Sequence, residues 1–174
     1  MNQVKSTNKA LKLSLLVFAG IVVLATLYLY LGRIKYFKDT ARHALVNDFF
    51  QEAEWRYHEV LKLNPFSFEA KLGLAHALQL QGGYKEAKPL YEEALDIRRR
   101  TLGTDHPDVA ETLNNLGAWY YSQGDYAEAK TLFKQALVIW ERTLGPDHPN
   151  VKTLLNNMNV LYQKAPDPPA ETNP

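Results

Sequence analysis

The sequence predicts an all-α chain: a single N-terminal transmembrane helix, a short α-solenoid of about three helix pairs, and a C-terminal capping helix. Three observations carry this. Residues 13–32 form an uncharged run. The chain superimposes on itself at a shift of 42 residues and, farther upstream, at 34. Within each unit, apolar residues recur at helical spacing.

The N-terminus divides into a short basic tail and an apolar run. Residues 1–12 carry Lys5, Lys9 and Lys12 and no acid. Residues 13–32 carry no charge, and Ser14, Thr26, Tyr28 and Tyr30 are their polar members. Twenty helical residues at about 1.5 Å each cross roughly 30 Å, the hydrocarbon thickness of a bilayer. Tyr28, Tyr30 and Tyr36 gather at one end, where an interfacial aromatic belt belongs, and Arg33, Lys35 and Lys38 follow. A cleaved signal peptide is the rival reading. Its apolar core is usually about 7–15 residues and ends in small side chains. Here the run is longer and bulky from Leu27 to Leu31, so an uncleaved anchor is expected, and a secreted soluble module would require cleavage. Three lysines without an acid keep the N-terminus cytoplasmic and send the rest across. Arg33, Lys35, Lys38 and Arg42 make the other flank equally basic, but large domains translocate largely regardless of such charges. The expectation is a single-pass bacterial inner-membrane protein with its repeats in the periplasm; a cytoplasmic repeat domain is the alternative.

The repeats are read from residue pairs. At a shift of 42, Leu74, Gly82, Tyr84, Ala87, Leu90, Ala94 and Ile97 fall on Leu116, Gly124, Tyr126, Ala129, Leu132, Ala136 and Ile139. Arg100-Thr101-Leu102-Gly103 falls on Arg142-Thr143-Leu144-Gly145, and Asp105-His106-Pro107 on Asp147-His148-Pro149. At a shift of 34, Ala41, Phe50, Ala53, Tyr57 and Val60 fall on Ala75, Tyr84, Ala87, Tyr91 and Ala94. Such periods signal a solenoid. Each unit reads as two antiparallel helices: 35–47 with 49–63, 68–81 with 84–101, and 107–122 with 126–143. Small Gly117, Ala129 and Ala136 allow close approach, and large Tyr126 and Phe133 fill the space between. The units are 33–65, 66–106 and 107–148. A last helix over 149–164 has no partner and caps the stack, with Val151, Leu154, Leu155, Met158 and Leu161 as its apolar stripe. Residues 165–174 hold four prolines and read as a disordered tail.

Leu-Asn-Asn-Leu-Gly at 113–117, the stretch Tyr126 to Leu137, and Leu-Gly-Pro-Asp-His-Pro at 144–149 resemble the 42-residue tetratricopeptide repeats of kinesin light chains and their bacterial relatives. The resemblance covers roughly 66–162, and 35–65 is similar to an ordinary 34-residue repeat. It implies a protein-binding scaffold without catalysis or cofactor. It also implies that the first helix of each pair lines a concave groove. Carried over position by position, the contacts are Lys38, Arg42, Leu72, His76, Gln79, Asn114, Tyr121 and Asn156. An asparagine amide both donates and accepts, so Asn114 and Asn156 suit a peptide backbone of any sequence. Lys38 and Arg42 favour a carboxylate. The competing surface is the outer wall around Trp55 and Trp140.

Composition narrows the chemistry. From residue 33 onward, 17 Lys and Arg face 19 acids, a near-neutral balance without the clustered basic face that nucleic acid needs. The absence of cysteine removes disulfides, thiolate metal sites and a cysteine nucleophile. His106 and His148 recur before prolines at helix starts, where Asp105 and Asp147 read as caps; this is structural repetition and not metal ligation. Gly82-Gly83 is an inter-helix turn, and no catalytic set or small-molecule site is legible. Two functions remain: a membrane-anchored scaffold or accessory subunit that docks a partner protein or membrane complex, and a chaperone or assembly factor that binds client peptides transiently.

Overall fold

The computed structural model describes residues 2–166, with side chains from Ala19 onward. Its seven described helices are α1 (Asn2–Val46), α2 (Phe50–Leu63), α3 (Phe68–Leu80), α4 (Tyr84–Leu102), α5 (Pro107–Gln123), α6 (Tyr126–Leu144) and α7 (Pro149–Lys164). From the end of α1 onward, every helix boundary lies within a residue of the sequence reading. The tail expected at 165–174 lies outside the described residues beyond Pro166.

One difference is large. The apolar run and the first repeat helix, read separately from sequence, form a single 45-residue helix. No proline interrupts 33–46, and a lone glycine at 32 costs only about 1 kcal/mol against alanine. From Ala19 to Val46 this helix is long and apolar enough to cross a membrane. It ends where Asp48 takes a left-handed conformation (φ 62°) and the Phe49 N–H returns to the Ala44 carbonyl at 2.9 Å. Aspartate tolerates that region better than most residues.

Packing follows the small–large pattern. Gly117 is buried against the Phe133 ring, and a Cβ there would stand 2.7 Å from it. Ala75 and Tyr91 occupy the equivalent places one repeat earlier, and both are buried. Two indoles tie elements together: Trp119 donates to the Tyr84 carbonyl and Trp140 to the Pro107 carbonyl, each at 3.0 Å. Trp140 is 4% exposed, which corrects its place on an exposed outer wall. Trp55 is 54% exposed, with its ring edge-on to Phe37 at 6.0 Å. The cap helix buries Val151, Leu154, Met158 and Leu161, whereas Leu155 faces solvent. The buried four recur at steps of three and four on one face, and Leu155 lies a residue off it.

The repeated histidines are themselves the caps, which corrects the aspartate reading. His106 Nδ1 accepts from the Asp108 N–H and His148 Nδ1 from the Asn150 N–H, both at 3.2 Å. Asp105 instead pairs with Arg142 at 2.6 Å, and Asp147 with Lys152 at 3.1 Å. The preceding Gly103 and Gly145 both adopt φ 87° with ψ near 158°, a conformation open essentially to glycine alone.

Candidate functional site

The first helix of each pair (the C-terminal part of α1, then α3, α5 and the cap α7) carries the candidate contacts at equivalent repeat positions. Lys38, Leu72, Asn114 and Asn156 form one series, Arg42 and His76 begin a second, and Gln79 and Tyr121 belong to a third. Their environments differ.

Lys38 forms an ion pair with Glu69 at 3.2 Å. Desolvation, the largest influence on Glu69, pushes its pKa up. Its own backbone N–H, Ser67 and Lys38 together outweigh that and hold the pKa below the usual carboxylate value. Half the cationic pair assigned to a partner carboxylate is therefore engaged internally. Arg42 is exposed and pairs with no carboxylate among the described residues.

Leu72 is half-buried against the core shared by the second and third repeats. His76 is exposed, and desolvation lowers the pKa of its imidazole. The Gln79 amide oxygen accepts from the Tyr91 hydroxyl at 2.9 Å, so its amide is oriented by the core. Desolvation raises the pKa of that buried phenol.

Tyr121 is half-buried, and the Lys164 ammonium at the end of α7 lies 5.0 Å from its ring centroid. Asn114 is half-buried and Asn156 exposed, and neither makes a side-chain hydrogen bond among the described residues.

Sequence reasoning missed Arg98. It is 6% exposed, and its Nη1 donates to the Asp108 carbonyl at 2.6 Å, the Thr112 hydroxyl at 2.8 Å and the Glu111 carboxylate at 2.9 Å. Its guanidinium lies 4.8 Å from the Phe68 centroid. At the 42-residue shift it falls on Trp140, so a buried cation fills a place that carries a tryptophan one repeat later. That contrast was the available signal.

Two equivalent clefts open beside α4 and α6. The first, of about 580 Å³, is lined by Lys71, Glu93, Asp96 and Ile97 among others. The second, of about 510 Å³, has Leu113, Gln135, Val138 and Ile139 at the corresponding places. At these four places one repeat step replaces three charged side chains with uncharged ones, while Arg99 and Lys134 also line the second cleft. Among the described residues, no group of three His, Cys, Asp or Glu is arranged to hold a metal.

A family model described as "Tetratricopeptide repeat" matches residues 67–137 and 120–169. No curated protein matches the sequence. Among solved structures, BtubC (BKLC) from P. vanneervenii is similar at TM-score 0.67 and 24% identity, over 77% of this chain and 56% of that one. A putative kinesin light chain from Podospora anserina with nearly identical TPR-like repeats is similar at TM-score 0.67 and 26% identity, over 75% of this chain and 66% of that one. This chain thus spans less than two thirds of either. The Yersinia enterocolitica type III secretion translocator chaperone SycD shares the fold at TM-score 0.63 and 14% identity, over 75% of this chain and 84% of that one.

Proposed function

This chain belongs to the tetratricopeptide-repeat family, whose fold serves protein–protein interaction without catalysis, and we propose that it is a membrane-anchored scaffold holding a partner in its concave face. α1 crosses the bilayer, and the repeats stand on the non-cytoplasmic side of a bacterial inner membrane. An extended or helical partner segment lies along α3, α5 and α7. It meets Arg42 at the membrane-near end and amides farther along. The carrying observation is the pair Asn114 and Asn156: two amides at equivalent positions of successive helices, with no side-chain hydrogen bond among the described residues. Unpartnered amides satisfy a peptide backbone irrespective of its sequence.

The second reading is a chaperone engaging clients transiently. It draws on the likeness to SycD, itself a translocator chaperone. The two differ in lifetime. A scaffold co-purifies with its partner stoichiometrically in mild detergent, and a chaperone does not.

The site test is the double variant Asn114→Ala with Asn156→Ala in the full chain. Partner retention is expected to fall several-fold while helical content and melting temperature hold. Undiminished retention, with loss on Trp55→Ala instead, moves the site to the outer wall.

A further inference from the structure

α1 carries membrane depth into the repeats. It runs unbroken from the apolar run into the first repeat, and α2 returns antiparallel along it. Arg56 reaches the Thr40 hydroxyl at 3.0 Å, and two turns farther along α2 the Tyr30 hydroxyl donates to the Leu63 carbonyl. The last turn of α2 is therefore level with the residues that end the apolar run. The Lys38–Glu69 pair holds the first turn of α3 a short way beyond. Between them lies the turn Asn64-Pro65-Phe66, and Phe66 is 78% exposed there.

The backbone donors of this turn are also satisfied without water. The Asn64 N–H bonds the Val60 carbonyl at 2.7 Å, and the Ser67 N–H bonds the Asn64 carbonyl at 3.2 Å. The Phe66 N–H bonds the Asn64 amide oxygen at 3.2 Å. Proline has no N–H to satisfy. Every backbone donor from Asn64 to Ser67 is thus paired internally or missing. The Leu63 carbonyl, one of the acceptors a helix end leaves open, is taken by Tyr30. Unpaired backbone groups are what a bilayer penalises most.

We propose that the α2–α3 turn is a second membrane contact, with Phe66 seated at the headgroup–acyl boundary of the leaflet from which α1 emerges. The inference rests on reading α1 as a span. The occupant is lipid: Phe66 is fixed at the depth where Tyr28 and Tyr30 mark the interface, and Arg33 and Lys35 stand beside that plane for phosphates. Two contacts, one helix and one turn, stop the repeats from swinging about a single tether. The concave face is thereby presented at a fixed angle to the membrane.

The chain contains no cysteine, so single cysteines report one position each. Phe66→Cys, Leu24→Cys in the apolar run, and Leu80→Cys at the opposite end of α3 are labelled with a nitroxide. The full chain is then placed in vesicles of phosphatidylethanolamine and phosphatidylglycerol. Collision with oxygen, which partitions into lipid, is compared with collision with a water-soluble nickel chelate. Position 66 is expected to give an oxygen-to-nickel ratio several-fold above position 80 and below position 24, and Pro65→Cys should repeat it. A ratio at 66 equal to that at 80, with 24 in lipid, overturns the contact and leaves the anchor standing. A water-like ratio at 24 sinks the anchor, and the contact falls with it.

Discussion

Gly73 on α3 faces the ring of Tyr57 on α2, and a Cβ built there would stand 2.1 Å from the ring's Cζ. Neither side can give: Tyr57 is 6% exposed and Gly73 lies mid-helix. Overpacking of this kind costs about 1–3 kcal/mol. Gly73→Ala is therefore expected to lower stability by up to about 2 kcal/mol, the overpacking less the roughly 1 kcal/mol by which alanine is the better helix former. In a Tyr57→Leu background the clash is gone, and the same change is expected to be neutral or stabilising. Denaturant unfolding of the four chains in detergent checks it. An equal penalty in both backgrounds removes the ring from the explanation.

At the scale of the element, α7 decides whether the stack closes. Its four buried residues, Val151, Leu154, Met158 and Leu161, face the third repeat. Full burial of such a side chain contributes about 1.5–3 kcal/mol. Four of them amount to a large part of the roughly 5–15 kcal/mol that stabilises a typical domain. Deleting residues 149–174 is expected to cause aggregation or loss of a cooperative melt, because terminal repeats need a covering element. Deleting only 165–174 is expected to change neither. Unaltered melting and solubility in the longer deletion rule out the cap. The longer deletion also removes Lys164 from Tyr121, so the shorter deletion is the proper control for binding.

For the whole molecule, the continuity of α1 makes membrane orientation a property of the repeats as well. In the proposed orientation, with Lys5, Lys9 and Lys12 holding the N-terminus in the cytoplasm, every element after residue 32 follows α1 to the other side. A periplasm-dependent reporter fused after Pro174 is expected to be active, and a cytoplasm-dependent one silent. The reverse pattern places the repeats in the cytoplasm. The concave face is then offered to a different set of partners, while the fold and the depth of the α2–α3 turn are unchanged.

From the end of α1 onward, the periodicity of the chain determined its helices, their order and their boundaries, whereas the fusion of the apolar run with the first repeat helix was not legible in it. Helical spacing and self-similarity are local properties, and Gly103, Gly145 and the His-Pro pairs punctuate them locally too. It determined the candidate groove positions only as a register: equivalent places on successive helices. Tertiary structure decided what each place is worth. Lys38 is engaged by Glu69, Gln79 is tied to Tyr91 and Tyr121 lies under Lys164, whereas Asn114 and Asn156 keep their amides without a partner among the described residues. It also separated two tryptophans that sequence treated alike. Trp140 donates to the Pro107 carbonyl at the start of α5 and is buried, whereas Trp55 stays exposed with its ring edge-on to Phe37. The reason is general: a helical period shows which face of a helix is apolar, and only the packed neighbours show what meets that face. The same holds for Phe66, an ordinary turn residue in sequence. Its place at the level where the apolar run ends follows from the register of α2 against α1, fixed by Arg56 on Thr40 and Tyr30 on Leu63.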